Sequence, residues 1–180
     1  MSLSSKEKKA VEEYIEYGNS NFGFDATRVF DLILVLLNER KGCLIGVSNK
    51  QDAKFIQECL SKADIPFKKK RYQFFIASSE RHLTSPIGEG RPNGDFFGYP
   101  ESAIEFYCSS DDPVAEFDSF LEETQDTVDS WDEKTPLIGY IPEPSKKGLK
   151  EALERQQQYE RALRSCSVDL GEVKYYDMQI

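Results

Sequence analysis

The run Val29–Leu37, VFDLILVLL, constrains the chain more than any other stretch, because Asp31 alone interrupts its apolar residues. A segment that is apolar on every side has no face to give to water, so it belongs at the centre of whatever core the chain builds. Asp25 stands where a cap would start a helix and Gly42 where one would stop, which predicts a central buried helix from Asp25 to Arg40. The run is too short for a membrane span, which takes about 18 apolar residues or more.

At 180 residues the chain can enclose such a helix in one core, burying about 70% of the surface its unfolded form exposes. One domain over residues 1–180 is expected. Its 32 Asp and Glu against 23 Lys and Arg give a net charge of −9, which repels a phosphate backbone and argues against non-specific nucleic-acid binding. Cys43, Cys59, Cys108 and Cys166 lie far apart, form no CxxC pair and have only His82 to help them, so neither a metal nor a cofactor is expected. No leader-like stretch opens the sequence, and reduced thiols in the cytoplasm are the expectation.

Residues 4–42 read as a helical part: Ala10, Val11, Tyr14, Ile15 and Tyr17 recur at helical spacing after a capping Ser4 or Ser5, and Gly18 ends that first helix. Residues 43–77 read as a βαβ unit. It has a buried strand Cys43–Val47, a helix from Lys50 to Ala63, and a strand Phe67–Ala77 whose first half carries Lys68, Lys69, Lys70 and Arg71. Residues 135–178 read as a second βαβ-like unit, because Leu137, Ile138 and Gly139 repeat Leu44, Ile45 and Gly46. A polar turn and a helix Ser145–Cys166 follow, then a strand Glu172–Met178. The expected fold is α+β or α/β: a small mixed sheet of about four strands, 43–47, 67–77, 136–141 and 172–178, packed by helices. Leu34, Leu37, Ile45 and Ile138 belong to its core, and parallel pairs would make the crossovers right-handed.

Between the units, residues 78–128 hold a glycine-rich loop and helices. One helix is begun by Pro100, and an acidic one over Pro113–Val128 turns Val114, Phe117, Phe120, Leu121 and Val128 inward. Within this part, GYPESAIEFY (Gly98–Tyr107) resembles the GYPxCC element of an uncharacterised archaeal protein family whose members also carry short βαβ units. Ser102 and Ala103 stand where that pattern places paired cysteines, so the resemblance implies a fold and carries over no activity.

A long loop rich in glycine and aromatics costs ordering entropy, which packing on the domain or on a ligand must offset. The stretch from Gly88 to Glu101 offers Arg91 as an anion partner, Asp95 or Glu101 as acid or base, and Tyr99 as an apolar wall with a polar tip. Gly90 and Gly94 suit close approach of the backbone, and Asn93 with Gly94 suits a turn before Asp95. The turn Glu143–Gly148, EPSKKG, opens a helix and places Ser145 where anions can bind, although it matches no P-loop or dinucleotide fingerprint. Each residue also has a structural use: Arg91 can pair with an acid, Asp95 can bond in a turn, and Glu101 complements a helix start.

Three readings follow. In the first, the chain is a module that binds a polar or anionic small molecule through Gly90, Arg91, Asn93, Gly94, Asp95, Tyr99, Glu101 and Ser145. In the second, Phe96, Phe97 and Tyr99 anchor a protein partner or a second copy in a homodimer. In the third, an enzyme uses Asp95 or Glu101 as acid and base, with His82 a further candidate. No acid and base are spaced for a named reaction, which favours binding over catalysis.

Overall fold

Ser4 and Glu7 exchange hydrogen bonds across the start of helix α1 (Ser5–Ser20): Ser4 Oγ accepts from the Glu7 N–H, and the Glu7 carboxylate accepts from the Ser4 N–H. Two of the donors that a helix start leaves open are thereby satisfied. The computed structural model describes residues 2–21, 25, 27–84, 90–124, 130–131, 134–135 and 137–168. The chain divides into two compact units, residues 1–86 with 162–180 (unit 1) and residues 87–161 (unit 2).

In unit 1, helix α2 (Arg28–Leu36) carries the apolar run, and Phe30, Leu32, Ile33, Leu34 and Val35 are fully buried. It stops short of Arg40, and the buried carboxylate explains why. Asn38 takes a left-handed φ of 60°, the Glu39 and Arg40 N–H groups turn back to the Leu34 carbonyl, and the Arg40 guanidinium reaches Asp31 at 2.5 Å. Arg28 holds the other carboxylate oxygen at 3.2 Å. A continued helix would carry Arg40 away from Asp31 and leave a charge unpaired in the core, which costs several kcal/mol.

Strand β1 (Gly42–Gly46), helix α3 (Lys50–Lys62), strand β2 (Phe67–Lys70) and strand β3 (Gln73–Ala77) follow, and Asn49 caps α3 by accepting from the Asp52 N–H at 2.9 Å. The sheet order is β1-β3-β2 and both pairs are antiparallel. The continuous strand expected over 67–77 is therefore a hairpin. Arg71, at φ 57°, reverses the chain in the two-residue turn Arg71–Tyr72, and Lys70 faces Gln73. The first βαβ unit is corrected with it: β1 and β2 run the same way, but β3 lies between them and no parallel pair forms. Folding at Arg71 puts the lysines on the sheet edge and the apolar Phe74 and Ile76 in its middle, where a cationic strand would be costly. Cys43, Ile45, Phe74 and Ile76 are buried on the face that α2 covers, and a 3-10 turn Glu80–Thr84 follows the sheet.

Unit 2 contains helices α4 (Arg91–Phe97), α5 (Glu101–Ser109), α6 (Pro113–Glu123) and α7 (Lys146–Ser165), the last up to Arg161. Its core gathers Phe117, Leu121, Trp131, Ile138 and Ala152, with the Phe117 and Trp131 rings edge to face at 5.8 Å. Val114, expected inward, is 56% exposed: the first turn of α6, capped by Asp112, stands outside this core. The glycine-rich loop is a helix over Arg91–Phe97. The strand expected over 136–141 is a turn at Leu137 and Ile138, both buried. The Leu137 N–H goes to the Gln156 side chain and the Ile138 N–H to the Thr135 carbonyl, so neither is left for a ladder. The second βαβ-like unit thus keeps its helix, α7, and loses its first strand; Val128 and the strand Glu172–Met178 lie outside the described residues.

Among the described residues the architecture is mixed α+β, with seven α-helices and a three-stranded antiparallel sheet. Leu34, Leu37, Ile45 and Ile138 are buried in it. No described helix is long and apolar enough to cross a membrane.

Candidate functional site

Glycines shape the segment from Gly90 to Glu101. Gly90 sits at the N-cap of α4 with φ 65°, and Gly98 ends the helix in the left-handed conformation, its N–H and that of Tyr99 both returning to the Gly94 carbonyl. Gly94 is buried where α4 meets α5, and a Cβ there would fall 2.6 Å from Cγ1 of Ile104. Its bareness serves helix packing and not a ligand. Pro100 then caps α5, and Glu101 takes the first turn, where a carboxylate suits the helix dipole.

Arg91 and Glu101 meet at 2.5 Å, with both side chains about half exposed or more. That hydrogen bond and the carboxylate's charge hold the Arg91 guanidinium above its ordinary range, with Asp95 and Cys108 adding from further off. Asp95 is exposed and accepts no hydrogen bond from a described residue, while the Asn93 N–H bonds to the Gly90 carbonyl. The rings of Phe96, Phe97, Tyr99 and Tyr140 form a ladder with centroids 5.2, 5.4 and 5.1 Å apart. Ser145 caps α7, its Oγ accepting from the Gly148 N–H at 3.0 Å. Gly148 itself is pressed on the chain before it, since a Cβ there would lie 2.2 Å from the Glu143 carbonyl oxygen. His82 belongs to unit 1, where Nδ1 lies 3.0 Å from Ser78 Oγ. The structure therefore pairs Arg91 with Glu101, leaves Asp95 exposed outside that pair, joins Tyr99 to an aromatic ladder, and gives Ser145 and His82 local partners.

A groove of about 400 Å³ runs along α7, lined by Glu151, Glu154, Arg155, Gln157, Gln158 and Arg161. Glu151, Glu154, Gln158 and Arg161 recur at three- and four-residue spacing and share one helical face. Arg155 reaches the Gly98 carbonyl at 3.5 Å, and Ser102 Oγ lies 3.4 Å from Glu151, so this face adjoins the end of the glycine-rich segment. Burial lowers the Arg155 pKa, but its bond to Tyr159 and the nearness of Tyr140 and Glu151 outweigh that and raise it. The adjoining Gln156 is buried and fixes the fold by accepting from the Leu137 N–H and donating to Glu160. Sequence reasoning missed the groove, because Glu151, Glu154, Gln157, Gln158 and Arg161 read like any solvated helix face.

Among the described residues no group of three or more His, Cys, Asp and Glu could hold a metal ion. The four cysteines are free thiols: Cys43 and Cys59 buried, Cys108 exposed, Cys166 half-buried. Compared with protein-family models, curated proteins and solved structures, the chain matches none.

Proposed function

We propose that the chain is a binding module for a polar small molecule, anionic ones included, taken by unit 2 in the groove along α7. The observation that supports this is the mixed lining of that groove, two guanidiniums and two carboxylates around glutamines, held against Gly98 and Ser102. Such a lining suits a ligand with an anionic group for the arginines and donors for the carboxylates. Arg155 is tied to Gly98 and Tyr159, while among the described residues the exposed Arg161 donates only to the Gln157 carbonyl of its own helix, so Arg161 is the contact open to solvent and Arg155 the one held by the fold. The rival reading, a partner-binding face, needs Phe96, Phe97 and Tyr99 to stand free. Phe96 is only 2% exposed, and all three rings pack on neighbours. The enzyme reading is weaker still, since the Glu101 carboxylate is taken up by Arg91.

Trp131, the one tryptophan, is buried in the core of unit 2, so its fluorescence follows the melting of that unit. A ligand at about 100 times its Kd stabilises by about 2.7 kcal/mol, a rise of several degrees. Inorganic phosphate, nucleoside monophosphates and dicarboxylates are the probes, and at least one raises the transition in the wild-type protein but not in Arg161→Gln. No shift with any of them, or a shift that Arg161→Gln and Arg155→Gln leave intact, removes the reading.

A further inference from the structure

In unit 1, strand β2 is the edge of the sheet, and its register fixes which backbone groups are open. The Ala77 N–H donates to the Pro66 carbonyl, so Pro66 and Ala77 form a hydrogen-bonded pair. Pairs of that kind alternate along an antiparallel ladder, which makes Lys68 opposite Phe75 and Lys70 opposite Gln73 bonded pairs too. The N–H and C=O groups of Phe67 and Lys69 therefore point away from β3, and they bond to no described residue. The side chains beside them are cations. Lys68, Lys69, Lys70 and Arg71 are all exposed, and Tyr72 is 45% exposed at the tip.

Elsewhere on unit 1 Lys6, Lys8, Lys9, Arg28, Lys54 and Lys62 each have a carboxylate partner, and the cations that pair with no described carboxylate, Lys41, Lys50, Arg81 and Arg164, stand singly along the sequence. Lys68, Lys70 and Arg71 make no ion pair with a described residue, and Lys69 bonds to the neutral Gln57 at 2.9 Å. Lysines on an edge strand deter pairing with neutral and basic strands. They do not deter an acidic one, so a deterrent to most strands is a selector for one class.

We propose that β2 is a docking edge for an extended acidic segment of another protein, which adds a strand beside Phe67–Lys70 and sets its carboxylates against Lys68, Lys70 and Arg71. The open groups of Phe67 and Lys69 supply the main-chain bonds, and the three cations Lys68, Lys70 and Arg71 supply the selection. The edge is short, so binding is weak and salt-dependent.

The probe is a synthetic peptide of about ten residues alternating Glu with Val, since strands run to about that length. Its lysine counterpart and a single-stranded oligothymidylate of equal charge serve as comparisons. The acidic peptide binds the intact chain, and the lysine peptide does not. Lys68→Glu, Lys70→Glu and Arg71→Glu together weaken binding about tenfold or more, and the neutral Gln versions weaken it less. Amide hydrogen exchange on the wild-type protein gives a second readout that needs no variant. Saturating peptide slows the Phe67 and Lys69 amides, while those of Lys68 and Lys70, already bonded to β3, change little. Absence of binding, binding without protection of Phe67 and Lys69, or tighter binding of the oligothymidylate overturns the proposal, the last in favour of nucleic acid.

Discussion

Unit 1 and unit 2 come from one acidic chain and handle charge in opposite ways. Unit 1 has 16 Lys and Arg against 14 Asp and Glu, and unit 2 has 7 against 18; net charges of +2 and −11 together make the −9 of the whole. The nearly balanced unit buries an ion pair, Asp31 with Arg40, under a sheet edged with lysines. The acidic unit keeps its surplus outside, and its buried polar groups among the described residues are the neutral Thr135 and Gln156, each hydrogen-bonded. A net charge averaged over a chain thus hides the information about partners, since here a cationic edge sits in a protein whose sum repels anions.

The hardest test of that contrast is Asp31→Ala. Removing one member of a buried pair strands the Arg40 charge, and a loss of about 3 to 5 kcal/mol is expected in urea unfolding. Asp31→Leu combined with Arg40→Met removes both charges and costs less than Asp31→Ala alone. A single substitution that costs under about 1 kcal/mol, as an exposed pair would, shows that unit 1 does not depend on its buried pair.

Unit 2 depends instead on close packing at glycines. Gly148→Ala puts a Cβ onto the Glu143 carbonyl oxygen, a backbone atom that cannot rotate aside. A loss of about 2 kcal/mol is expected, the overpacking cost exceeding the better helix propensity of alanine. It is read from the Trp131 fluorescence transition. An unchanged transition shows that the turn has slack.

Asp25 does not cap the central helix, which starts at Arg28 after Thr27 without a side-chain cap. The apolar run of that helix, the cap at Ser4, α3 and α7 were legible in the sequence because periodicity and capping are local. The hairpin was not, because a left-handed Arg71 with no Gly or Asn beside it leaves no turn signal. Antiparallel order was hidden for a related reason: strand periodicity does not tell which neighbour a strand will take. At the candidate site, the pairing of Arg91 with Glu101 was foreseeable as an ion pair. The helix over Arg91–Phe97 was masked by glycines that turned out to serve its two ends and its packing on α5. The groove on α7 was illegible because its residues look like any solvated helix face.

Alkaline pH sharpens the comparison further. Burial, first of all, pushes the Cys59 thiol up from 9.0 to about 11, and burial pushes Cys43 higher still; both are in unit 1. Once pH passes the ordinary thiol range the unfolded chain releases these protons and the folded chain keeps them. Stability is therefore full below pH 9.0 and falls as pH rises, for Cys59 until about 11. In unit 2 the one cysteine, Cys108, is exposed. Above about pH 9, the loss of sheet signal by circular dichroism should precede the Trp131 transition, and thiol labelling at neutral pH should reach Cys108 before Cys43 and Cys59. Coincident transitions would show that the two units unfold together.

The smallest effects separate support from function inside the glycine-rich segment. Tyr99 packs between Phe97 and Tyr140, so Tyr99→Ala removes a link of the ladder and should cost about 1 to 2 kcal/mol. Arg91 and Glu101 are exposed, and water and salt screen such a pair, so Arg91→Ala should leave the melting temperature where it was. A drop in melting temperature for Arg91→Ala as large as that for Tyr99→Ala would make Arg91 a support of the fold. If the melt is unchanged but a ligand that raises the wild-type transition no longer does so, Arg91 is a contact, and the site extends from the α7 groove to the start of α4.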